Sequence, residues 1–267
     1  MTDHEELKAR SRAVWAMGRY EPIAERLLPA AQDLLDACAI SAGQEVLDVG
    51  AGTGNLALLA AEEGASVVAS DLTPEMVEKG RARTDAEGVD VEWVVADAEE
   101  LPFEDARFDC AASVFAAVFA PRPEVMIEEL FRVVRPGNTV GLTAWGDYGM
   151  QAEMFAVFDQ YRPQTDVPLP SLWGDPAVAE ERLAPYANRV QTQKLTLPWD
   201  FESWDEAWEI YAGNGPMVAL RSMIGDEKFD ALREPAGEVV KRWNGGTLDG
   251  PISLPAEYLQ IVARKRG

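Results

Sequence analysis

A glycine-rich turn and three aspartates are the parts of this 267-residue chain whose types and spacing can do chemistry. Gly50-Ala51-Gly52-Thr53-Gly54 follows the apolar run Glu45-Val46-Leu47-Asp48-Val49 and precedes a helical stretch from Asn55. Glycines let the backbone take positive φ and let a ligand approach where a Cβ would block it. The helix start then offers unpaired N–H groups to an anion or carboxylate. Asp71 stands at the end of the next apolar run, where a carboxylate can accept both hydroxyls of a ribose. Asp97 closes a third run as an acidic strand end. Asp48 sits inside the first run, where an anion works against a pyrophosphate and suits a cationic ligand. A dinucleotide site asks for G-x-G-x-x-G, and here position 55 is Asn. An NAD-dependent oxidoreductase is therefore the disfavoured alternative.

The elements that must position these residues alternate along the chain. Residues 5 to 40 have apolar positions at helical spacing, with Pro22 and Pro29 expected to break them into pieces. Short apolar strands are expected at 45–49, 66–71, 91–96, 108–114 and 139–145, with helices between them. Thr73-Pro74-Glu75 opens one such helix with an N-cap and a proline. Pro136-Gly137 stops the helix that starts at Pro123. Strands with little polar alternation, separated by helices, imply a parallel sheet covered on both faces. Past residue 150 a helix is expected from Gln151 to Tyr161, then a proline-rich stretch from Arg162 to Pro170. A strand at 189–198, helices over 203–243 and a closing strand at 258–263 complete the chain. The expected division is a helical cap at 1–44, a ligand-binding core at 45–198, a helical substrate lid at 199–250 and a final core strand at 251–267.

Taken together, the turn at Gly50, Asp71, the Val94-to-Phe103 stretch around Asp97 and the helix ending Leu130-Phe131-Arg132-Val133-Val134-Arg135-Pro136-Gly137 carry a resemblance. Residues 45 to 145 resemble the UbiE-like branch of class I S-adenosylmethionine-dependent methyltransferases. Trp15 to Tyr20, Val118 to Pro121, Leu172-Trp173-Gly174 and Pro255 to Leu259 look like a group of uncharacterised bacterial members. The resemblance implies an α/β, Rossmann-like, seven-stranded and mostly parallel sheet with helices on both faces and a helical lid. It implies S-adenosyl-L-methionine as cofactor, held by Asp48, Gly50, Ala51, Gly52, Gly54, Asp71, Leu72, Met76, Asp97, Ala98 and Ser113, with Trp15 and Tyr20 reaching it from the cap. Asp97 would accept from the adenine amino group, and the backbone near Ser113 to Phe115 would lie by the methionine end. Asn138 departs from the pattern, since a second glycine is usual there.

Ligands in open α/β sheets bind at the carboxyl ends of the strands. The acceptor pocket is expected there, with Met17, Phe115, Phe119, Trp145, Trp204 and Trp208 as its wall. Methyl transfer from a sulfonium needs the nucleophile in line, water excluded and sometimes a base. The single histidine, His4, lies in the N-terminal tail, which disfavours a Ser-His-Asp apparatus and a His-rich metal site. Asp147, Tyr148, Glu153, Tyr161 and Tyr211 are the weak candidates for a base. A divalent-metal mechanism is not expected, because Val114 to Ala120 is apolar, and no metal site is assigned. The formal net charge of −22 sets 24 basic against 46 acidic residues and argues against nucleic acid or anionic membrane as partners. Cys38 and Cys110 are expected to be buried and reduced. No leader or membrane span is read, so the expectation is a cytoplasmic monomer or homodimer. Its acceptor would be a small molecule, methylated on oxygen or nitrogen rather than carbon. A non-catalytic protein that binds S-adenosylmethionine is the remaining alternative.

Overall fold

The computed structural model describes residues 4–161 and 167–267. The proline-rich stretch expected at 162–170 lies partly outside them. The chain opens with α1 (His4–Trp15) and α2 (Glu21–Cys38), followed by β1 (Glu45–Val49), α3 (Asn55–Glu62), β2 (Ser66–Asp71), α4 (Pro74–Glu87), β3 (Val91–Val95) and β4 (Phe108–Val114). Next come α5 (Pro123–Val133), β5 (Val134–Trp145), α6 (Gly149–Asp159), α7 (Pro176–Leu183) and β6 (Ala187–Phe201). Four short helices, α8 (Trp204–Gly213), α9 (Gly215–Ile224), α10 (Asp226–Ala231) and α11 (Arg233–Trp243), precede β7 (Ile252–Lys265).

These strands form one seven-stranded sheet in the order β3-β2-β1-β4-β5-β7-β6. The pairs from β3 to β5 are parallel, and β7 runs antiparallel to both β5 and β6. Parallel neighbours need crossover connections, which the intervening helices supply, so β1 to β5 all end at one edge of the sheet. The strands are apolar on both faces because both faces are covered. Leu47, Val49, Val68 and Ala111 pack with Met126, Ile127 and Leu130 of α5. Val46, Val67, Cys110 and Ala112 turn the other way onto Leu34 and Leu35 of α2 and Leu56 of α3. Period-two alternation thus splits each strand between two cores.

Several expectations need correction, and the first is Pro136-Gly137, which lies inside β5 rather than stopping the helix, since α5 ends at Val133 and β5 starts at Val134 rather than 139. Pro29 does not break the helix but lies inside α2. It sits on the exposed side, where the Glu25 carbonyl it leaves unpaired can be hydrated, while Leu27, Ala30, Ala31, Leu34 and Leu35 hold the opposite face in the core. The boundary expected at residue 198 falls inside β6, because Trp199 to Phe201 still pair with Leu254 to Ile252. Likewise β7 starts at Ile252 rather than Tyr258. Pro255 lies where β7 projects past β5, so one side of it faces no strand and its missing N–H is no loss there.

Trp93 of β3 links the sheet to the glycine-rich turn. Its indole is buried, and its Nε1–H donates to Thr84 Oγ1 at 3.1 Å. A Cβ on Gly54 would stand 2.9 Å from the ring, and one on Gly80 of α4 would overlap it. Both glycines leave room for the indole.

Asp48 sits beneath the same turn. It is buried, and its Oδ2 accepts from the Ala57 N–H at 3.1 Å in the first turn of α3, where the helix dipole favours an anion. Burial pushes its carboxyl up to about 7, against the opposing pull of the Ala57 N–H and with help from the charge of Asp71.

Two predictions come from this packing. Gly80→Ala should gain up to about 1 kcal/mol of helix propensity and lose more by overpacking, which typically costs about 1–3 kcal/mol. The expected result is a lower Tm in thermal unfolding; a Tm at or above the parent's would show that the indole is free to shift. For Asp48, the unfolded chain ionises near pH 4 while the folded chain keeps the proton until about pH 7. The unfolded state therefore binds fewer protons in this window, and the group's contribution to stability falls as pH rises from about 4 to about 7. Asp48→Asn should match the parent near pH 4 and be the more stable of the two at pH 8. Parallel Tm profiles across that range would contradict this.

Candidate functional site

A cavity of about 890 Å³ opens at the carboxyl ends of β1 to β4. That is toward the upper end of the roughly 300–1,000 Å³ range of small-molecule sites. Its floor is the turn after β1. Gly50 and Gly52 have φ of +67° and +56°, the left-handed region that other residues enter only with strain. A Cβ on Gly50 would overlap that of Ala116 in the loop after β4. The turn is tied back to β2 by the Ala51 N–H, which donates to the Ser70 carbonyl at 2.9 Å.

Asp71 ends β2 at the cavity wall. Its Oδ2 accepts from the Gly52 N–H at 2.9 Å and its Oδ1 from the Thr73 N–H at 2.8 Å. Burial raises its carboxyl and these N–H groups oppose the rise. Each oxygen keeps accepting capacity for a ligand hydroxyl, since an ionised carboxylate has about four acceptor sites. Leu72, Thr73 and Met76 line the wall beside it.

Asp97 and Ala98 line the next stretch, after β3. Asp97 Oδ1 accepts from the Glu99 N–H at 2.9 Å, and its Oδ2 lies 2.6 Å from Lys8 Nζ of α1. The loop after β4 supplies Val114, Phe115, Ala116 and Ala117. Phe115 has φ of +56°, a strain of about 1–3 kcal/mol for a bulky residue. It is held there by its N–H bond to Thr143 Oγ1 at 2.9 Å and by stacking on Trp145, with centroids 4.1 Å apart. Ser113 is buried behind this wall, and its Oγ accepts from the Ala117 N–H at 2.8 Å.

The facing wall is apolar and aromatic. Trp15 meets both Tyr20 and Phe119 edge-on, each at 6.1 Å. Leu7 and Ser11 of α1, Ala120, Pro121 and the segment Val167 to Pro170 continue it, and Asp159 adds a carboxylate. The Tyr20 ring lies over Gly52, where a Cβ would come within 3.0 Å of its Cε1. Burial raises the Tyr20 phenol, and the charges of Asp71 and Asp48 raise it further, so it stays protonated and can donate.

Of the residues picked from sequence, Gly50, Gly52, Asp71, Leu72, Met76, Asp97, Ala98, Trp15, Tyr20, Phe115 and Phe119 line this cavity. Ala51 and Gly54 shape the turn without lining it. Asp48 does not line it either, because the alternation that sends Leu47 and Val49 to one face sends Asp48 to the other, against α3. Trp145 stands behind Phe115. Met17 is exposed beyond the end of α1. Trp204 and Trp208 pack on each other at 5.7 Å, and Trp208 packs on Phe229, in the core of the helical insertion.

The candidate bases are elsewhere too. Tyr211 is buried, with its hydroxyl donating to Gln151 at 2.9 Å. Glu153 pairs with Arg242. Tyr148 lies under the Lys194 ammonium, 3.8 Å from the ring centroid. Asp147 is exposed, and Tyr161 packs against the insertion's core. An aromatic helix face reads the same in sequence whether it lines a pocket or fills a core. Leu7, Lys8 and Ser11 were not anticipated. Their signal is the spacing 7, 8, 11 and 15 along α1, one face of a helix ending in Trp15.

Comparison with known proteins agrees with this geometry. A family model described as a methyltransferase domain matches residues 46–137. An uncharacterized protein of Mycobacterium tuberculosis is 35% identical over 265 residues, covering 97% of this chain and 96% of that protein. The ubiquinone/menaquinone biosynthesis C-methyltransferase UbiE of a Ruegeria species is 39% identical over 110 residues, covering 39% of this chain and 44% of that enzyme. The crystal structure of the YcgJ protein from Bacillus subtilis superposes with a TM-score of 0.62 at 20% identity, covering 89% of this chain and 98% of that one. The chain belongs to the class I S-adenosylmethionine-dependent methyltransferases.

Proposed function

We propose that the enzyme methylates a small, apolar or planar acceptor on oxygen or nitrogen, chiefly by positioning and by excluding water. The reading rests on one observation: the glycine-turn wall with its fixed Asp71 carboxylate and the aromatic wall of Trp15, Tyr20 and Phe119 face the same cavity. The residues suit S-adenosylmethionine. The turn would be filled by any side chain at Gly50, and it lies beside a carboxylate already oriented by two N–H groups. In this reading Asp71 accepts the ribose hydroxyls, Asp97 the adenine amino group, and the Ala98 N–H faces the ring. The protonated Tyr20 hydroxyl, over Gly52, donates toward the amino-acid end. When bound, the cofactor supplies an electrophilic methyl group on a sulfonium.

The chain's own contribution is geometry and dryness. Trp15, Phe115 and Phe119 exclude water from the acceptor side and favour a flat or hydrophobic molecule. None of the five carboxylate and phenol bases picked from sequence lines this wall. An amine, or a phenol acidic enough to ionise unaided, would react without one of them. The UbiE relative is named a C-methyltransferase, but it matches only 39% of this chain, so carbon remains the second choice of acceptor atom.

Asp71→Ala should weaken binding of S-adenosylhomocysteine by about tenfold or more in calorimetry, about 1.4 kcal/mol. Unchanged affinity would sink the ribose assignment. Trp15→Ala and Tyr20→Ala should each alter cofactor retention or turnover against a panel of phenols and amines. If neither does, the aromatic wall has no part in the reaction.

A further inference from the structure

Around Asp97 lies a cluster of charges whose other members, Lys8, Glu99 and Arg122, have no role above. Lys8, on α1, is almost fully buried, at 3% exposure. Its Nζ lies 2.6 Å from Asp97 Oδ2 and 2.7 Å from Glu99 Oε2, with Glu5 at 3.5 Å. The Glu99 carboxylate has no exposed surface and also accepts from the Arg122 backbone N–H at 2.6 Å and Arg122 Nε at 2.7 Å. Arg122 is thus the second cation on Glu99, while Lys8 is the cation on Asp97. Burial alone would lower the Lys8 ammonium, but its hydrogen bonds to the two acids outweigh burial and hold it charged.

The other end of α1 is attached differently. The Arg19 N–H donates to the Gly213 carbonyl at 2.8 Å. A Cβ on Gly18 would overlap Gly213, and one on Gly215 would overlap the Val14 carbonyl. Here the two segments meet backbone to backbone with no side chain between them. Between these attachments, Leu7, Lys8, Ser11 and Trp15 line the cavity. The glycine end is a uniform close contact, whereas the Lys8 end is an ion cluster whose Coulombic gain is set against desolvation.

We propose that α1 is a strap across the cofactor cavity, anchored on the Gly213–Gly215 turn of the helical insertion and latched by Lys8 onto Asp97 and Glu99, so that cofactor exchange passes through release of Lys8. The proposal rests on reading Asp97 as the adenine end of the cofactor site. Lys8 is a positioning residue in this scheme: it acts through the Asp97 carboxylate and through the placement of Leu7 and Ser11.

The test compares the parent with Lys8→Met, which keeps the apolar stem, and Lys8→Arg, which keeps the charge. Hydrogen–deuterium exchange on the ligand-free protein should show residues 4–15 losing protection in the Met variant while residues 204–243 keep theirs. Stopped-flow displacement should show S-adenosylhomocysteine leaving the Met variant about tenfold faster or more, with the Arg variant much nearer the parent. Unchanged exchange at 4–15 overturns the latch, whatever the ligand does. Increased exchange at 4–15 with an unchanged dissociation rate overturns the exchange route. If the parent binds no S-adenosylhomocysteine, the cofactor reading fails, and the exchange experiment still decides the latch. Loss of protection across 204–243 as well would show Lys8 to be a general structural residue and would count against the strap.

Discussion

Parallel strands end at one edge of a sheet, and at that edge the backbone of Gly52 donates to the carboxylate of Asp71 at 2.9 Å. This bond ties the end of β1 to the end of β2. It needs Gly52 in the left-handed region, which brings its N–H round to the acid. Once it is made, the features around it follow. The turn sits low enough for Tyr20 to pass over it, α3 starts where Asp48 can accept from Ala57, and Trp93 fills the space left beneath Gly54. A side chain at Gly52 or a shift of Asp71 would disturb several contacts together.

The acids of the site are compensated in two ways. Asp97 and Glu99 are met by Lys8 and Arg122, basic side chains that offset their charge. Asp48 and Asp71 are met by backbone N–H groups, which stabilise a carboxylate without cancelling its charge. The charge of Asp71 also raises the affinity of Asp48 for a proton. The acids at the glycine-turn end are thus held by backbone N–H groups, and those at the Lys8 end by basic side chains.

Much of the core was legible because local signals and tertiary demands coincide there. β1, β2 and β4 have the bounds expected from their apolar runs, and Gly50, Gly52 and Asp71 come together as their spacing implied. Errors arose where one pattern serves two outcomes. A proline inside a helix reads as a break, yet Pro29 is accommodated on the exposed face of α2. Pro198 reads as the end of a strand and Tyr258 as the start of one, yet both strands run on and Pro198 pairs with Pro255 in the long β6–β7 ribbon. Trp204, Trp208 and Tyr211 have the spacing of a pocket wall and instead fill their own core. Lys8 was illegible because its acids lie about ninety residues away in sequence, and only the fold brings them together.

The helical insertion therefore reaches the site at second hand. Its large aromatics are committed to a core with β6, β7 and α6, where Tyr211 bonds Gln151 and Trp199 packs on Tyr211. One link to the cavity is the backbone contact of Gly213 and Gly215 with the end of α1, and another is Phe115, a cavity residue that packs in the same core. The acceptor side is walled by α1, by the Phe119 loop and by Val167 to Pro170, with Trp15 as the point where α1 meets Phe119. A change in the insertion can reach the cavity through α1, which also carries Lys8 beside Asp97. Through this one helix the packing of the insertion is coupled both to the wall that holds Trp15 and to the Asp97 end of the cavity.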